Sequence, residues 1–385
     1  MDLVARARAL APLIEAASRA IEQQREISPE VLTALHDARL FRLLLPRSCG
    51  GAEVEPAIFL QAIEALAMAD GSTAWCVAQA AGCAVSAAYL RPDIAQEIFG
   101  GPQAVLAWGP PGRKGRASVV EGGYRVSGAW NFASGSRHAA WLGAHCPVHE
   151  ADGTPRRTAE GKIFERTMLF PKAKAMISDV WHVVGLRGTG SDSYAVADFF
   201  VPEAYSFTRE SDQDRRERGP LYRFTTFQLY AIGFAGVALG IARATLDAFI
   251  GLAKDKVPTA ATKALRDSAV IQSQVALAEA QLQSARAFLL QTVREQWETA
   301  LRGGGFTLEQ RAAVRLASTF AIHQARSVVD TAYHAAGATA IFDSNPFERR
   351  FRDMHAVSQQ VQGHFSNFEL AGQCLLGLEP AGRIA

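Results

Sequence analysis

At 385 residues the chain is long enough to bury a sizeable core and to build two or three packed layers. Its 40 basic and 38 acidic residues nearly cancel to a net +2, which excludes the basic excess of a nucleic-acid-binding protein. With 49% hydrophobic and 20% charged residues, it has the balance of a globular protein.

The first hundred residues read as helices. Leu3, Ala7, Leu10, Leu13, Ile14 and Ala17 recur at helical spacing. Ser28-Pro29-Glu30 starts a second helix, with Ser28 as N-cap and Pro29 in the first position. Pro56 opens a third. Asp70-Gly71-Ser72 breaks it, and Ser72 or Thr73 is expected to cap the alanine-rich helix that follows.

The pattern changes near residue 104. Val119 to Val126 reads as strand, tight turn and strand around Gly122-Gly123. Thr167–Phe170 and Ser193–Val201 are further strands. Ser206–Leu221 is a charged loop, expected to be a solvated linker. Long helices follow over Phe227–Lys254, Ala264–Ala300 and Leu308–Ala336, as in a bundle, with a last helical region from Phe347. The uncharged stretch Phe227–Ala242 falls short of the roughly 20 residues that span a bilayer, so a buried helix is expected and no membrane partner.

The order helices, strands, long helices resembles the acyl-CoA dehydrogenase superfamily. Three motifs carry the resemblance. They are Leu44-Leu45-Pro46 with Gly50-Gly51; Gly185-Leu186-Arg187-Gly188-Thr189-Gly190-Ser191 with Phe199-Phe200-Val201-Pro202; and Gly337 with Pro346-Phe347-Glu348-Arg349 and Arg352-Asp353. The implied fold is α+β: an N-terminal helical domain (1–104), a middle β-barrel or sandwich domain (105–205) and a C-terminal four-helix bundle (206–385). The resemblance further implies a flavin, FMN or FAD, held without a Rossmann loop, and a homotetramer.

Two segments resemble the flavin cradle. In Ala107-Trp108-Gly109-Pro110-Pro111-Gly112, Trp108 lies either beside the flavin or in the core. Gly128-Ala129-Trp130-Asn131-Phe132-Ala133-Ser134-Gly135 ends in Ser-Gly, as in the monooxygenase branch, where dehydrogenases carry Trp-Ile-Thr. Ser134 is then expected at the flavin N5; otherwise it is a turn serine bonding its own backbone. By the same resemblance Gly109, Phe132, Ala133 and Gly337 belong to the cofactor site, and Lys256 or Arg266 meets its phosphate.

The segment Arg352 to His364 decides between reactions. Dehydrogenases of this family place a glutamate about two turns after the Arg-Asp pair to abstract a proton. Here the region reads Gln360-Val361-Gln362, with no carboxylate. His355 fits the histidine habit of the monooxygenases, while Gln360 stands where a second histidine is common. On one continuous helix, 355, 359 and 362 share a face and 360 and 364 another. His355 is then either a proton-transfer group or a histidine of the helix surface or a subunit contact. His138, His364 and His182 are the other histidines weighed; no metal-ligand pattern is present.

The expected protein is thus a flavin-dependent monooxygenase. A separate reductase would supply reduced flavin, and a C4a-hydroperoxyflavin would hydroxylate a small aromatic or heteroatom-containing substrate, with Ser134, His355 and Gln360 in the catalytic roles. The alternatives are an acyl-CoA dehydrogenase with a relocated base, which predicts tightly bound FAD bleached by an acyl-CoA, and a non-catalytic flavin binder. Five scattered cysteines without a CxxC pair and no visible signal peptide point to the cytoplasm.

Overall fold

The computed structural model describes residues 2–110, 115–208, 214–259 and 261–382. The N-terminal layer holds α1 (Leu3–Ala9), α2 (Ala11–Gln24), α3 (Pro29–Asp37), α4 (Pro56–Ala69), α5 (Gly71–Ala84) and α6 (Pro92–Phe99). α3 starts where expected, with Ser28 in the N-cap position and Pro29 in the first turn, although the Ser28 side chain makes no capping hydrogen bond. α5 does not start at Ser72 or Thr73. Asp70 is its N-cap, and its carboxylate accepts from the Thr73 amide at 2.7 Å and the Thr73 hydroxyl at 2.8 Å. Both α4 and α5 are buried along almost their whole length.

The middle layer holds β1 (Leu106–Trp108), β2 (Arg116–Val120), β3 (Gly123–Ala133), β4 (Trp141–His149), β5 (Glu165–Pro171), β6 (Met176–Ser178), β7 (Asp192–Pro202) and β8 (Ser206–Phe207). The strands run in the order β6-β7-β3-β2-β4-β5-β8, with β1 beside β4. Gly122 makes the β2–β3 turn at φ +75°. β3 is longer than the expected hairpin strand and carries the second cradle segment to its end. Its pairing with β7 shifts register between Trp130 and Ala133, so Phe132 is forced to φ +58°. The charged loop is less free than expected. Arg166 pairs with Asp214 at 3.2 Å, and the Arg216 amide donates to the Ala88 carbonyl. Residues 209–213 lie outside the described residues.

The C-terminal layer is α7 (Thr226–Asp255), α8 (Ala269–Leu301), α9 (Leu308–Ala336), α10 (Phe347–Val357) and α11 (Ser366–Leu375). Thr225 with Gln228 and Thr307 with Gln310 close capping boxes at the starts of α7 and α9. α8 starts later than expected, because Leu265–Asp267 turns as a short 3-10 helix before Ser268. The apolar window of α7 is long enough to cross a membrane, but 89% of it is buried inside the fold, which accounts for its composition. α10 ends at Val357. Ser358 turns its hydroxyl onto the His355 carbonyl, and Gln360 adopts extended backbone. The continuous helix expected through His364 is therefore absent, and the shared faces of 355, 359 and 362 and of 360 and 364 do not exist.

The three layers meet at Gly185–Ser191. Leu186, at φ +51°, donates its amide to Asp353 Oδ1 of α10 at 2.6 Å. A Cβ on Gly188 would fall 2.3 Å from Ile21 of α2 and 2.9 Å from Ser72 of α5, so only glycine fits there. Asp353 lies close to Asp70, and Arg349 reaches Asp70 at 3.8 Å. Burial, then the Asp70 charge, raise the Asp353 carboxyl to about 7; the Leu186 amide and Arg349 oppose the shift.

A carboxyl raised from an unfolded value near 3.9 holds its proton more tightly in the folded state. Its contribution to stability is complete below the unfolded value and is lost as pH climbs through about 7. Asp353→Asn keeps the amide acceptor and cannot ionise. Thermal unfolding followed from pH 5.5 to 8.5 is expected to show the wild type losing stability relative to this variant, on the order of 2 kcal/mol at the alkaline end.

Candidate active site

Ser134 closes the turn that follows β3. Its side chain is 7% exposed, and its amide donates to the Phe132 carbonyl at 2.9 Å. The next amide, of Gly135, donates to the Thr189 carbonyl, which ties the turn to the central junction. Ser134 Oγ accepts from Trp75 Nε1 of α5 at 3.0 Å and lies 2.7 Å from Ser191 Oγ. Ser191 in turn lies 2.7 Å from Thr189 Oγ1, and Thr189 donates to the Leu186 carbonyl at 2.8 Å. Ser134 is thus not a turn serine bonding its own backbone. Trp75, Thr189 and Ser191 were not read as site residues; the only signal for two of them was their place in the 185–191 motif.

Aromatic and apolar side chains gather on the segments that carry this hydroxyl and its partner Trp75. Inward, Trp75 stacks on Phe234 at 3.9 Å and 10°, and Phe234 stacks on Tyr230 at 5.5 Å and 7°, making a wall of nearly parallel rings. Outward, Phe132 is 59% exposed and stands edge-on to Trp181 at 6.0 Å. Met176 and Ile177 on the edge strand β6, with Val180 and Val184 beyond it, are exposed as well. An exposed apolar edge, with Phe132 two residues before a held hydroxyl in the chain, has the chemistry to take a flat ring system with a polar atom on its rim. The residues present therefore fit a flavin.

The other expected cofactor residues divide. Gly109 packs where a Cβ would fall 1.8 Å from the Asn131 carbonyl oxygen, so the first cradle segment lies against the second. Ala133 is fully buried in register with Asp192. Trp108 takes the core alternative: it is 3% exposed, with its ring against His145 at 5.1 Å and its carbonyl accepting from Gln79. Pro111 and Gly112 lie outside the described residues. Lys256 donates to Thr339 Oγ1 at 2.6 Å and to the Ala336 carbonyl, closing the C-terminal end of α9 where Gly337 turns at φ +58°. It is a helix cap in this structure. Arg266 is exposed before α8, with its carbonyl accepting from Gln272.

His355 Nε2 pairs with Asp330 Oδ1 of α9 at 2.9 Å, with its ring 4.3 Å from that of Phe351. Gln360 Oε1 accepts from the Gln362 amide at 2.7 Å, and its Nε2 is buried without a partner. Neither shares a partner with the Ser134 chain. His138 packs against Gly135 and Phe41; its Nε2 has no partner, and burial, with His36 and Lys172 nearby, lowers it to about 3, so it is neutral at assay pH. His364 is bonded to Ser366 on the surface, and His182 stands beside Asp179 and Arg25. Among the described residues no group of three His, Cys, Asp or Glu could hold a metal.

Residues 232–364 match the acyl-CoA dehydrogenase C-terminal domain family. An indole-3-acetate monooxygenase of Pseudomonas putida is 33% identical over 93% of this chain and 90% of its own length. The chain belongs to the flavin-dependent monooxygenases of the acyl-CoA dehydrogenase superfamily. The oxygenase component of an FADH2-dependent resorcinol hydroxylase from a Rhizobium species is 28% identical, covering 99% of this chain and 95% of that one. The crystal structure of 3-HSA hydroxylase from Rhodococcus sp. RHA1 superposes with a TM-score of 0.91 at 27% identity, over 100% of this chain and 99% of that one. This monooxygenase is accordingly an oxidoreductase that uses reduced flavin, and its fold is the α+β arrangement expected from the motifs.

The Lys256 contact makes a stability prediction. Lys256→Met removes a cation and its bonds from the end of α9 and is expected to cost about 1 to 2 kcal/mol in chemical denaturation.

Proposed function

We propose that this protein is the oxygenase component of a two-component system that hydroxylates a small aromatic or heteroatom-containing molecule, with reduced FMN or FAD delivered by a separate reductase. The observation that carries the reading is the Ser134 hydroxyl, held between Trp75 and Ser191, with exposed Phe132 two residues before it and Phe234 stacked on Trp75. When bound, reduced flavin supplies the electrons that activate O2, so that one oxygen atom enters the substrate and the other leaves as water. Ser134 holds the rim of the ring system. Trp75, Phe234 and Tyr230 are stacked rings, Trp75 and Phe234 buried, that keep water from the inner side of the site. The relatives named for indole-3-acetate and resorcinol support an aromatic substrate.

The remaining roles follow from partners. Asp330 orients the His355 imidazole, and Gln360 offers an unpaired amide, so the two are assigned to substrate orientation and proton transfer. Arg266 is assigned to the flavin phosphate, since Lys256 is engaged at the helix end. Assembly as a homotetramer is supported by exposed Val270 and Leu277 on α8 and by exposed Leu375, Leu376 and Leu378. A cytoplasmic site is supported by five free cysteines, four of them buried.

The decisive experiment supplies reduced flavin and labelled O2 with a panel of phenols, indoles and thioethers. The expected result is one labelled oxygen atom in the product; peroxide alone with every substrate would sink the proposal. Ser134→Ala is expected to lower the product formed per O2 consumed about tenfold, the equivalent of about 1.4 kcal/mol. Arg266→Ala is expected to weaken reduced-flavin binding about tenfold by anaerobic titration while the unfolding midpoint stays unchanged.

A further inference from the structure

The bonds around Ser134 have a direction that their distances alone do not state. Each hydroxyl carries one proton, an indole N–H only donates, and a carbonyl only accepts. The Leu186 carbonyl receives Thr189 Oγ1 at 2.8 Å, Trp181 Nε1 at 3.0 Å and the Thr189 amide at 3.2 Å. The Thr189 proton is therefore spent on that carbonyl. The 2.7 Å contact between Thr189 and Ser191 then requires the Ser191 proton, and the 2.7 Å contact between Ser191 and Ser134 requires the Ser134 proton. Trp75 closes the other end by donating to Ser134 at 3.0 Å. Every proton in the chain points from Trp75 towards Leu186.

We propose that Thr189 and Ser191 are positioning residues that fix Ser134 as a hydrogen-bond acceptor, so that the site grips a ligand N–H and cannot donate to it. The inference rests on the monooxygenase reading, in which that N–H is the one on N5 of reduced flavin. A carbonyl ends the chain, and a carbonyl takes up no proton near neutral pH. The ligand's proton is therefore held in place and has no path of escape through these hydroxyls. That is the behaviour needed where loss of the proton would release oxygen as peroxide without product. The anchor is outside the site: the Leu186 amide is fixed by Asp353, and Gly188 is wedged against α2 and α5.

Thr189→Val keeps the shape and removes one hydroxyl; Thr189→Ser keeps the hydroxyl. In the valine variant Ser191 loses its acceptor and turns its proton to Ser134, whose own proton is then released towards the ligand. Two readouts are made on the full-length protein. The first is the indole N–H resonance of Trp75 in 15N-tryptophan-labelled, flavin-free protein, assigned with Trp75→Phe. The second is product formed per O2 consumed.

Thr189→Val is expected to shift the Trp75 resonance and to raise the peroxide fraction about five- to tenfold, with Thr189→Ser restoring both. Ser191→Ala is expected to do the same as the valine variant and serves if that variant does not fold. A merely structural role for Thr189 would lower the unfolding midpoint and leave the Trp75 resonance in place. An unmoved resonance overturns the proposal, and so does a moved resonance with unchanged coupling. If the wild type yields no labelled product, the monooxygenase reading fails by itself, and the resonance still decides whether the chain runs one way.

Discussion

The amide of Leu186 rests on the carboxyl of Asp353, and much of the molecule is arranged around that contact. It joins a loop of the β layer to α10, and through Asp70 and Arg349 it reaches the cap of α5. Two acids buried together are unfavourable in isolation, since each loses water and repels the other. Here the cost is offset by directed partners: the Leu186 amide, both donors of Thr73 in the α5 cap, and the nearby Arg349 guanidinium. Removing one partner therefore disturbs three layers, whereas a surface pair such as Arg91–Asp93 affects only its own turn.

From this joint the site follows by short steps. Leu186 at positive φ turns its carbonyl to Thr189, and two further hydroxyls lead to Ser134. A dehydrogenase of this superfamily needs a carboxylate over the flavin to take a proton. This chain has Gln360 in that region, and the linked side chains of Ser134, Ser191 and Thr189 are hydroxyls that neither take nor release a proton at neutral pH. Such hydroxyls supply no base for α-proton abstraction.

Much of the fold was legible because it depends on local patterns. The bounds of α9, the Ser28-Pro29 helix start and the Gly122 turn all follow from residues within a few positions of each other. The second glycine-bounded segment was legible only in part: the hairpin strand was expected to end near Val126, whereas β3 runs on to Ala133. Other features depend on distant partners and left no local mark. Trp75 and Ser191 meet Ser134 across 59 and 57 residues. Lys256 reads as a free cation until Ala336, 80 residues on, is seen to accept from it. Gln360 was misplaced for the opposite reason: helix periodicity was extended through Ser358, whose hydroxyl bonds back to the chain and helps end the helix.

The joint also orders events during synthesis. Asp353 lies 167 residues beyond Leu186 and comes from one of the last helices made. Contacts of such separation form late, after the intervening chain has collapsed. Ser134 and its apolar edge can be assembled in outline by the first two layers, but the loop that orients the hydroxyl is secured only when α10 docks. A growing or truncated chain that lacks α10 therefore leaves the Leu186 amide, and the line of hydroxyls that ends on the Leu186 carbonyl, without its anchor.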